Sequence, residues 1–330
     1  MKICIATDAW HPQINGVVTT LSKTIQTLKN WGHEVVTITP AQFTTIPCPT
    51  YPEIRLSLVT KKKVRKILKT EHPDAVHIAT EGSIGWATRR ACKEAGLEFT
   101  TSYHTRFPEY IKMRLPVPLA TSYWVVKRFH GAAKRTMVAP TLIDELQLRS
   151  FENLAPWSRG VDTTLFKPRP KDILQSKRPI FVYVGRVAVE KNLPAFLDLD
   201  LPGSKYVIGD GPALQEYKKK YKEVVFTGTK KGEDLASHVA AADVFVFPSL
   251  TDTFGVVLLE AIACGVPVAA FPVTGPKFIV KNGTSGFVSN DLHYAAMEAL
   301  KVAPDSCRQA AEAYAWEACT KQFVNNLAIN

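Results

Sequence analysis

Short apolar strands alternate with helical segments along this chain, and the whole alternation occurs twice. The first half contains strand-like runs at 2–7, 34–39, 75–78 and 99–103, with helical segments such as 84–95 between them. Strands that are joined through helices form parallel sheets with right-handed crossovers. The sequence therefore predicts an α/β architecture built on a parallel sheet.

The alternation restarts after the proline-rich loop 167–170. Strand-like runs follow at 178–185, 205–209, 224–227, 244–248 and 267–271, and a last helix is predicted over 310–327. A length of 330 residues is also typical of about two domains. We therefore predict two Rossmann-like domains, an N-terminal one over 1–160 and a C-terminal one over 161–308.

The positive charge of the chain is concentrated in its first half. Residues 1–160 contain 22 Lys and Arg against 12 Asp and Glu, whereas residues 161–330 contain 19 against 18. This distribution indicates that the first half binds an anionic partner, which could be a nucleic acid, a membrane or a small molecule.

The cysteines and the apolar segments indicate a cytoplasmic protein. The six cysteines form no Cys-x-x-Cys pair, so we expect buried free thiols in a reducing compartment. The chain opens directly with a strand rather than a signal peptide. Its most apolar stretch, 255–273, is interrupted by a glutamate, a glycine and two prolines, which makes it a poor membrane span.

Motifs suited to a phosphate follow two strands of the second half. Gly185 and Arg186 end its first strand, and Lys191 follows on the same loop. Two cations near a helix N-terminus suit a diphosphate, and a solvated loop with an ion pair is the alternative. Gly209 and Asp210 end the next strand in a turn that exposes backbone groups.

The segment 249–261 carries the strongest functional signal. Asp252 and Glu260 lie eight residues apart, and Phe254 and Gly255 are expected to start a helix whose N–H groups face an anion. Glu260 then lies inside this helix among apolar residues, where a carboxylate is costly without a partner. The hydroxyls of a ribose are such a partner, and a capping acid followed by a surface glutamate is the alternative.

Two motifs of the first half lie at predicted strand ends. Asn15 and Gly16 follow the first strand and let backbone N–H groups approach a ligand, although a plain tight turn is the alternative. The segment lacks the Gly-x-Gly-x-x-Gly spacing of NAD-binding proteins. His104 follows the strand 99–103 and is expected to point into a cleft between the domains, with a structural histidine as the alternative.

Together these motifs resemble the retaining glycosyltransferases of family four, and in particular bacterial members that build glycolipids or envelope glycans. The resemblance is carried by Gly-Arg at 185–186, Glu-Lys-Asn at 190–192, the acidic pair with Thr-Phe-Gly at 253–255, Cys-Gly-Val-Pro at 264–267, Tyr-His-Thr at 103–105, Trp-Ser-Arg-Gly-Val-Asp at 157–162 and Tyr-Ala-Trp-Glu at 314–317. It implies a GT-B fold, whose two Rossmann-like domains have parallel sheets facing a central cleft. It also implies that a C-terminal helix, 309–330, crosses back to the N-terminal domain.

The resemblance implies a donor-binding role for residues of the second half. Arg186 and Lys191 hold the donor diphosphate, and Glu260 holds the ribose. Asp252 contacts hydroxyls of the transferred sugar, helped by backbone N–H groups of Thr253, Phe254 and Gly255. Gly209 and Asp210 are expected in the same donor site.

The catalytic set implied by the resemblance is His104, Asp252, Arg186 and Lys191. His104 lies beside the anomeric centre, and Gly16 lets the first loop close over the phosphates. Most members of the family have glutamate at the position of Asp252, so the identity of the donor sugar stays open. A UDP-hexose is expected, with GDP-mannose as the alternative.

The expected mechanism needs neither a metal nor another cofactor. No Asp-x-Asp motif stands in a plausible metal position, so the cations are expected to stabilise the leaving diphosphate together with helix N–H groups. The resemblance implies retention of the anomeric configuration. Because no carboxylate nucleophile is evident on the opposite face, we expect same-face substitution through an oxocarbenium-like state.

Two basic amphipathic segments predict contact with an anionic membrane. The segment 61–69 surrounds an apolar seam with cations, and the segment 123–135 interleaves aromatic and basic residues. Both fit interfacial helices, and apolar faces packed on the first sheet beneath solvated lysines are the alternative. The contact residues are expected to be Lys61, Lys62, Lys63, Arg65, Lys66, Trp124, Lys127 and Arg128.

A membrane lipid such as diacylglycerol or a lipid-linked glycan is therefore the expected acceptor, and the inner face of the cytoplasmic membrane the expected location. A glycosyltransferase with a soluble acceptor and a sugar-nucleotide epimerase of the same fold are the alternatives. A nucleic-acid partner is supported by charge alone and is not expected, because the aromatic motifs of RNA-binding sheets are missing. No protein partner is evident from the sequence.

Overall fold

The two runs of alternating strands and helices fold, in the computed structural model of this protein, into two six-stranded sheets. The structure describes residues 1–13, 16–48, 51–104, 106–112, 117–250 and 254–330. The chain divides into unit 1, which is Met1–Ser158 with Cys319–Asn330, and unit 2, which is Arg159–Ala318.

Unit 1 has one parallel sheet in the order β2-β1-β5-β6-β7-β8 and an antiparallel pair β3-β4. Its strands are β1 (Lys2–Ala6), β2 (Glu34–Ile38), β3 (Thr45–Cys48), β4 (Tyr51–Ser57), β5 (Ala75–Ile78), β6 (Thr100–Tyr103), β7 (Arg135–Val138) and β8 (Leu154–Pro156). Its helices before the boundary are α1 (Gly16–Asn30), α2 (Lys61–Glu71), α3 (Ser83–Ala95), α4 (Phe107–Lys112), α5 (Leu119–His130) and α6 (Ile143–Leu148).

Unit 2 has a parallel sheet in the order β11-β10-β9-β12-β13-β14. Its strands are β9 (Ile180–Val184), β10 (Ser204–Ile208), β11 (Val225–Gly228), β12 (Val244–Phe247), β13 (Val268–Ala270) and β14 (Gly286–Val288). Its helices are α7 (Pro194–Leu197), α8 (Leu214–Lys220), α9 (Gly232–Ala240), α10 (Val256–Ala263), α11 (Thr274–Ile279), α12 (Leu292–Ala299) and α13 (Pro304–Glu312). The last helix, α14 (Trp316–Asn326), begins in unit 2 and continues in unit 1.

The predicted α/β architecture with parallel sheets is confirmed in both units. Every strand named from the sequence is present, with bounds that shift by one or two residues. The strands β3, β4, β7, β8 and β14 were not predicted, because none of them contains a long apolar run.

The prediction of one continuous last helix is wrong. α13 ends at Glu312 and α14 begins at Trp316. Between them, the backbone N–H of Val161 donates to the carbonyl oxygen of Tyr314 at 2.8 Å, and Ala315 pairs with Val161 in an isolated bridge. The chain therefore leaves the helical path where its backbone pairs with another segment.

The core strands are buried on both faces, as parallel sheets covered by helices require. Ile3 to Ala6 of β1 and Ile180 to Val184 of β9 are buried without alternation. In unit 1 the C-terminal segment adds the buried Phe323 to the core, and its ring centroid lies 4.8 Å from that of His77 on β5.

The described residues contain no helix that is long and apolar enough to cross a membrane.

Substitution of Gly85 by alanine should destabilise unit 1. A Cβ at this position of α3 would lie 1.9 Å from the carbonyl oxygen of Thr80, so the helix would have to move away from the end of β5. We expect Gly85→Ala to lower the free energy of unfolding in urea by roughly 1–3 kcal/mol.

Gly16→Ala is the matched control, because Gly16 also lies in a helix of unit 1 but none of the described residues lies within 4 Å of the added Cβ. This variant should be unchanged or more stable by up to about 1 kcal/mol, since alanine is the better helix former. Equal stability of the two variants would contradict the close packing at Gly85.

Candidate functional site

The ends of β9 and β10 approach so closely that only glycine fits between them. Gly209 has φ +148°, and a Cβ there would lie 1.9 Å from the carbonyl oxygen of Gly185. The Gly185 N–H donates to Ile208 O at 3.0 Å, and the Val187 N–H donates to Asp210 O at 2.9 Å. The two loops that follow these strands therefore lie side by side at the carboxyl edge of the sheet.

Arg186 and Lys191 lie on the first of these loops, where the sequence places them. The Arg186 side chain is 66% exposed and its Nη1 lies 3.7 Å from Glu190 Oε1, so this ion pair is open to water and weak. Lys191 is half-buried in a short 3₁₀ turn. The Nδ2 of Asn192 donates to Pro248 O at 3.1 Å and ties the loop to the end of β12.

The predicted helix start at Phe254 and Gly255 is confirmed, because α10 begins at Val256. Gly255 has φ +83°, in the left-handed region that favours glycine. A Cβ at Gly275 would lie 2.4 Å from Phe254 O, so the first turn of α11 packs directly against this loop. Three strand-end loops of unit 2 thus meet at one place.

Glu260 lies in α10 with its side chain half-buried, next to the buried Leu259 and Ala261. Within the described part of the chain, its carboxylate has no hydrogen bond or ion pair. Burial raises the pKa of Glu260 from 4.5 to about 7. Glu260 is thus partly enclosed by its apolar neighbours in α10, and its role toward a ligand stays a prediction.

This carboxyl should make the free protein less stable as pH rises. The proton is bound more tightly in the folded state, so the associated stability is fully present below about pH 4.5 and is lost as pH rises through about 7. Glu260→Gln should therefore be more stable than the wild type at pH 8, on the order of 2 kcal/mol, and much less so at pH 4.5. Urea unfolding at both pH values measures the difference.

Glu216→Gln is the matched control, because Glu216 is an exposed glutamate of the same unit, in the first turn of α8. Its free energy of unfolding at pH 8 should be close to that of the wild type. A Glu260→Gln variant whose stability follows the wild type at every pH would contradict the burial of the charge.

His104 lies directly after β6, at the carboxyl edge of the sheet of unit 1. Its half-buried ring lies 5.5 Å from the ring of Trp157, at an interplanar angle of 57°. The Trp157 side chain is buried, and the backbone N–H of this residue donates to Val138 O at 2.8 Å, at the end of β7. The His104 ring therefore packs against a buried aromatic side chain.

The sequence analysis missed Asp8, which follows β1. Its carboxylate accepts hydrogen bonds from Ile84 N (2.8 Å), Gly85 N (3.2 Å), Thr80 Oγ1 (2.9 Å) and Ser83 Oγ (3.2 Å). Asp8 thus caps α3 from another strand end, and all of these donors lie more than 70 residues away. An acid that directly follows the first strand was the signal available in the sequence.

Some of the predicted site residues lie elsewhere than expected or are not described. Gly16 is the first residue of α1 rather than part of a loop, because the helix begins before the predicted residue 19. Asp252 and Thr253, assigned to the donor sugar, and Asn15 lie outside the described residues.

The helix α2 does not present its apolar seam to a membrane. Val64 and Leu68 are buried in the core of unit 1. The predicted contact residues Lys61, Lys62, Lys63, Arg65 and Lys66 lie on its exposed side. The prediction that this seam enters a bilayer is wrong, because the seam covers the sheet.

The helix α5 differs from α2 in that it exposes an aromatic residue. Trp124 is 60% exposed, and the Arg128 guanidinium lies 5.7 Å from the centre of its ring. Lys127 and Val125 are exposed on the same helix. Tyr123 and Phe129, also expected in this segment, are buried.

Family models match both halves of the chain. A model of "Glycosyltransferase Family 4" matches residues 14–165, and a model of "Glycosyl transferases group 1" matches residues 178–303. No group of three His, Cys, Asp or Glu residues that could hold a metal occurs among the residues that the structure describes.

Curated relatives are similar over most of the chain. The sulfoquinovosyl transferase SQD2 of Arabidopsis thaliana is 28% identical over 94% of this chain and 70% of its own. A GDP-mannose-dependent alpha-mannosyltransferase of Corynebacterium glutamicum is 26% identical over 87% and 76%. The alpha-monoglucosyldiacylglycerol synthase of Streptococcus pneumoniae is 25% identical over 92% and 79%.

A solved structure shows the same fold. Anabaena HepE, crystallised in complex with UDP, has a TM-score of 0.71 at 16% identity, over 98% of this chain and 99% of its own. The predicted GT-B fold is confirmed by this likeness and by the two parallel-sheet units.

Proposed function

This chain belongs to the family-four glycosyltransferases and uses a nucleotide sugar, and from that premise we propose that it moves a hexose from a UDP-sugar to a membrane lipid with retention of configuration. The lipid would be a diacylglycerol or a lipid-linked glycan. The observation that carries the proposal is the meeting of strand-end loops of unit 2 at the start of the helix that holds Glu260, whose carboxylate is half-buried and has no hydrogen bond within the described ranges.

The donor diphosphate would lie against the loop that follows β9. Arg186 and Lys191 supply positive charge there, and the neighbouring turn at Gly209 and Asp210 brings backbone groups close. Charge-assisted hydrogen bonds to phosphate are among the strongest in proteins. The start of α10 after Gly255 would add backbone N–H groups.

The ribose would satisfy the Glu260 carboxylate. An ionised carboxylate accepts hydrogen bonds only, and the two ribose hydroxyls can donate them. Binding would then favour the charged form of Glu260, whose burial disfavours it in the free protein. Asp252 and Thr253 would contact the sugar together with backbone N–H groups at Phe254 and Gly255.

The nucleotide is proposed to be UDP. The structure of HepE contains UDP, whereas the mannosyltransferase of C. glutamicum is named for GDP-mannose. GDP-mannose is therefore the second candidate donor.

The chemistry is proposed to proceed without a metal or a cofactor. Arg186, Lys191 and the helix N–H groups would stabilise the negative charge that develops on the leaving diphosphate. His104 would lie beside the anomeric carbon, and Gly16 would allow the first loop to approach the phosphates. Substitution on the same face of the sugar would retain its configuration.

A lipid acceptor is supported by the name of one relative and by the surface of unit 1. That relative is an alpha-monoglucosyldiacylglycerol synthase. In this chain, α5 exposes Trp124 beside Lys127 and Arg128, a combination that suits the interface of an anionic bilayer. We place the enzyme at the inner face of the cytoplasmic membrane.

Thermal unfolding with a panel of UDP-, GDP- and ADP-sugars tests the donor. The proposed UDP donor at 100 times its Kd should add about 2.7 kcal/mol of stability. Lys191→Ala should weaken binding of UDP by roughly 10- to 100-fold, because a hydrogen bond to a charged group is worth about 1.5–3 kcal/mol. Calorimetry with UDP measures the loss.

Lys218→Ala, which removes an exposed lysine of α8, should bind UDP like the wild type. Unchanged UDP affinity and turnover of Lys191→Ala would contradict its assignment. Product analysis with the donor alone separates transfer from epimerisation, because an epimerase needs no acceptor.

Sedimentation with phosphatidylglycerol vesicles tests the membrane surface. Trp124→Ser combined with Lys127→Glu and Arg128→Glu should abolish binding, since each cation near an anionic leaflet contributes about 1 kcal/mol. Replacing Lys61, Lys62 and Lys63 by glutamate should weaken binding less, because these lysines add charge without an apolar anchor.

The matched control is the same charge change in unit 2, with Lys218, Lys219 and Lys220 replaced by glutamate. This variant should sediment more like the wild type than either variant of unit 1. Failure of the wild type to bind these vesicles at low salt would favour a soluble acceptor.

A further inference from the structure

Three aromatic side chains of unit 2 pack in a row that ends at the loop before α10. The ring centroids of Phe254 and Phe278 lie 6.3 Å apart at an interplanar angle of 40°, and those of Phe278 and Tyr314 lie 6.4 Å apart at 79°. Aromatic rings attract one another at such separations, beyond the effect of buried area. Phe278 of α11 therefore connects Phe254 to the segment between α13 and α14.

The helix α11 also touches the backbone of Phe254. Gly275 lies on this helix three residues before Phe278, and an added Cβ there would lie 2.4 Å from Phe254 O. Residues three apart are neighbours on one helix face. The Phe254 side chain is enclosed, with only 8% of the residue exposed. One face of α11 thus holds both the backbone and the ring of Phe254.

The far end of the row rests on backbone that does not belong to this loop. Tyr314 O accepts a hydrogen bond from the Val161 N–H at 2.8 Å. Arg308 of α13 donates from Nη1 to Ala263 O at 2.9 Å, at the last residue of α10. The end of α10 is therefore held through Arg308, independently of Phe278.

The loop itself needs an external restraint, because it contains a glycine in a permissive conformation. Gly255 has φ +83° and directly precedes α10. Glycine reaches this region and many others with little steric cost, so the local sequence does not select one conformation. Packing of the neighbouring Phe254 ring against Phe278 is the contact that selects it.

We propose that Phe278 is a positioning residue of the donor site, which holds Phe254 so that the backbone N–H groups of Phe254 and Gly255 face the transferred sugar. This inference rests on the proposed function, in which those N–H groups contact the sugar. Phe278 acts through Phe254 rather than on the donor. When the restraint is lost, the apparent affinity for the sugar falls with the fraction of molecules whose loop is in the binding conformation.

Turnover of nucleotide sugars by the whole protein tests this role. Release of UDP or GDP is measured from UDP-glucose, UDP-galactose and GDP-mannose, with and without dioleoylglycerol in phosphatidylglycerol vesicles. Phe278→Leu removes the ring and keeps an apolar side chain. It should lower kcat/KM for the nucleotide sugar roughly 3- to 10-fold, the factor that one aromatic pair contributes to an equilibrium.

Binding of free UDP separates the sugar from the nucleotide. Calorimetry should give Phe278→Leu an affinity for UDP close to that of the wild type, because α10 and its Glu260 are held without Phe278. Phe278→Tyr keeps the ring and should turn over the nucleotide sugar like the wild type. Tyr314→Leu removes the second ring beside Phe278 and should lower turnover in the same direction, whereas Tyr314→Phe should not.

A double-mutant cycle tests whether Phe278 acts through Phe254. Once Phe254→Leu has removed the first ring, Phe278→Leu should cause little further loss of turnover, because residues that act through one contact are not additive. The matched control is Tyr217→Leu, which breaks another aromatic pair of unit 2, Tyr217 with Tyr221, whose centroids lie 6.2 Å apart on the side of α8. It should lower the Tm and leave kcat/KM unchanged.

The outcomes separate this role from the reaction itself. Turnover by Phe278→Leu that equals the wild type would overturn the positioning role and leave the proposed function standing. Equal losses of UDP affinity and of turnover, or single losses that multiply in the double variant, would overturn it as well. A wild-type protein that binds neither UDP nor GDP and releases neither from these sugars would overturn the proposed function and this inference with it.

Discussion

Parallel pairing of the strands is the constraint on which the candidate site depends. Because all strands of a sheet run in one direction, their carboxyl ends lie along one edge. The central strands β1, β5, β6, β9 and β12 are buried on both faces, so their side chains are not accessible to a ligand. Polar groups therefore collect where the strands end, at His104 and Glu81 in unit 1 and at Arg186 and Gly209 in unit 2.

The partners of the buried carboxylates distinguish structural acids from candidate ligand-binding ones. Asp8 accepts four hydrogen bonds from a single segment of the chain, which cap α3 and oppose the effect of burial, although burial still raises its pKa. Glu260 has no such donors among the described residues, and burial raises its pKa to about 7. Glu81 lies between these two cases, with one oxygen held by His130. A buried charge without a partner is costly, and ligand binding is the compensation we propose for Glu260.

The two basic helices of unit 1 show how similar amphipathic patterns have different outcomes. In α2 the apolar residues Val64 and Leu68 enter the core, and the lysines remain at the surface. In α5 Phe129 enters the core, yet Trp124 still lies largely in solvent. An apolar residue on a basic helix can thus pack in the core or face the solvent. The elements that lie next to the helix determine which of the two occurs. Only the second arrangement offers a membrane an anchor.

The sequence by itself determined the two parallel sheets, the helix that starts after Gly255 and the place of Glu260 within that helix, because each follows from a local pattern of apolar, glycine and charged residues. The tertiary structure alone decided that Asp8 caps α3, that His130 holds Glu81, that α2 faces the core and that the last helix breaks before Trp316. These features depend on partners that are far apart in the sequence. Glu81 and His130 are separated by 49 residues, and Asp8 and Ile84 by 76. Periodicity shows which face of an element is apolar, but only the folded chain decides what lies against that face.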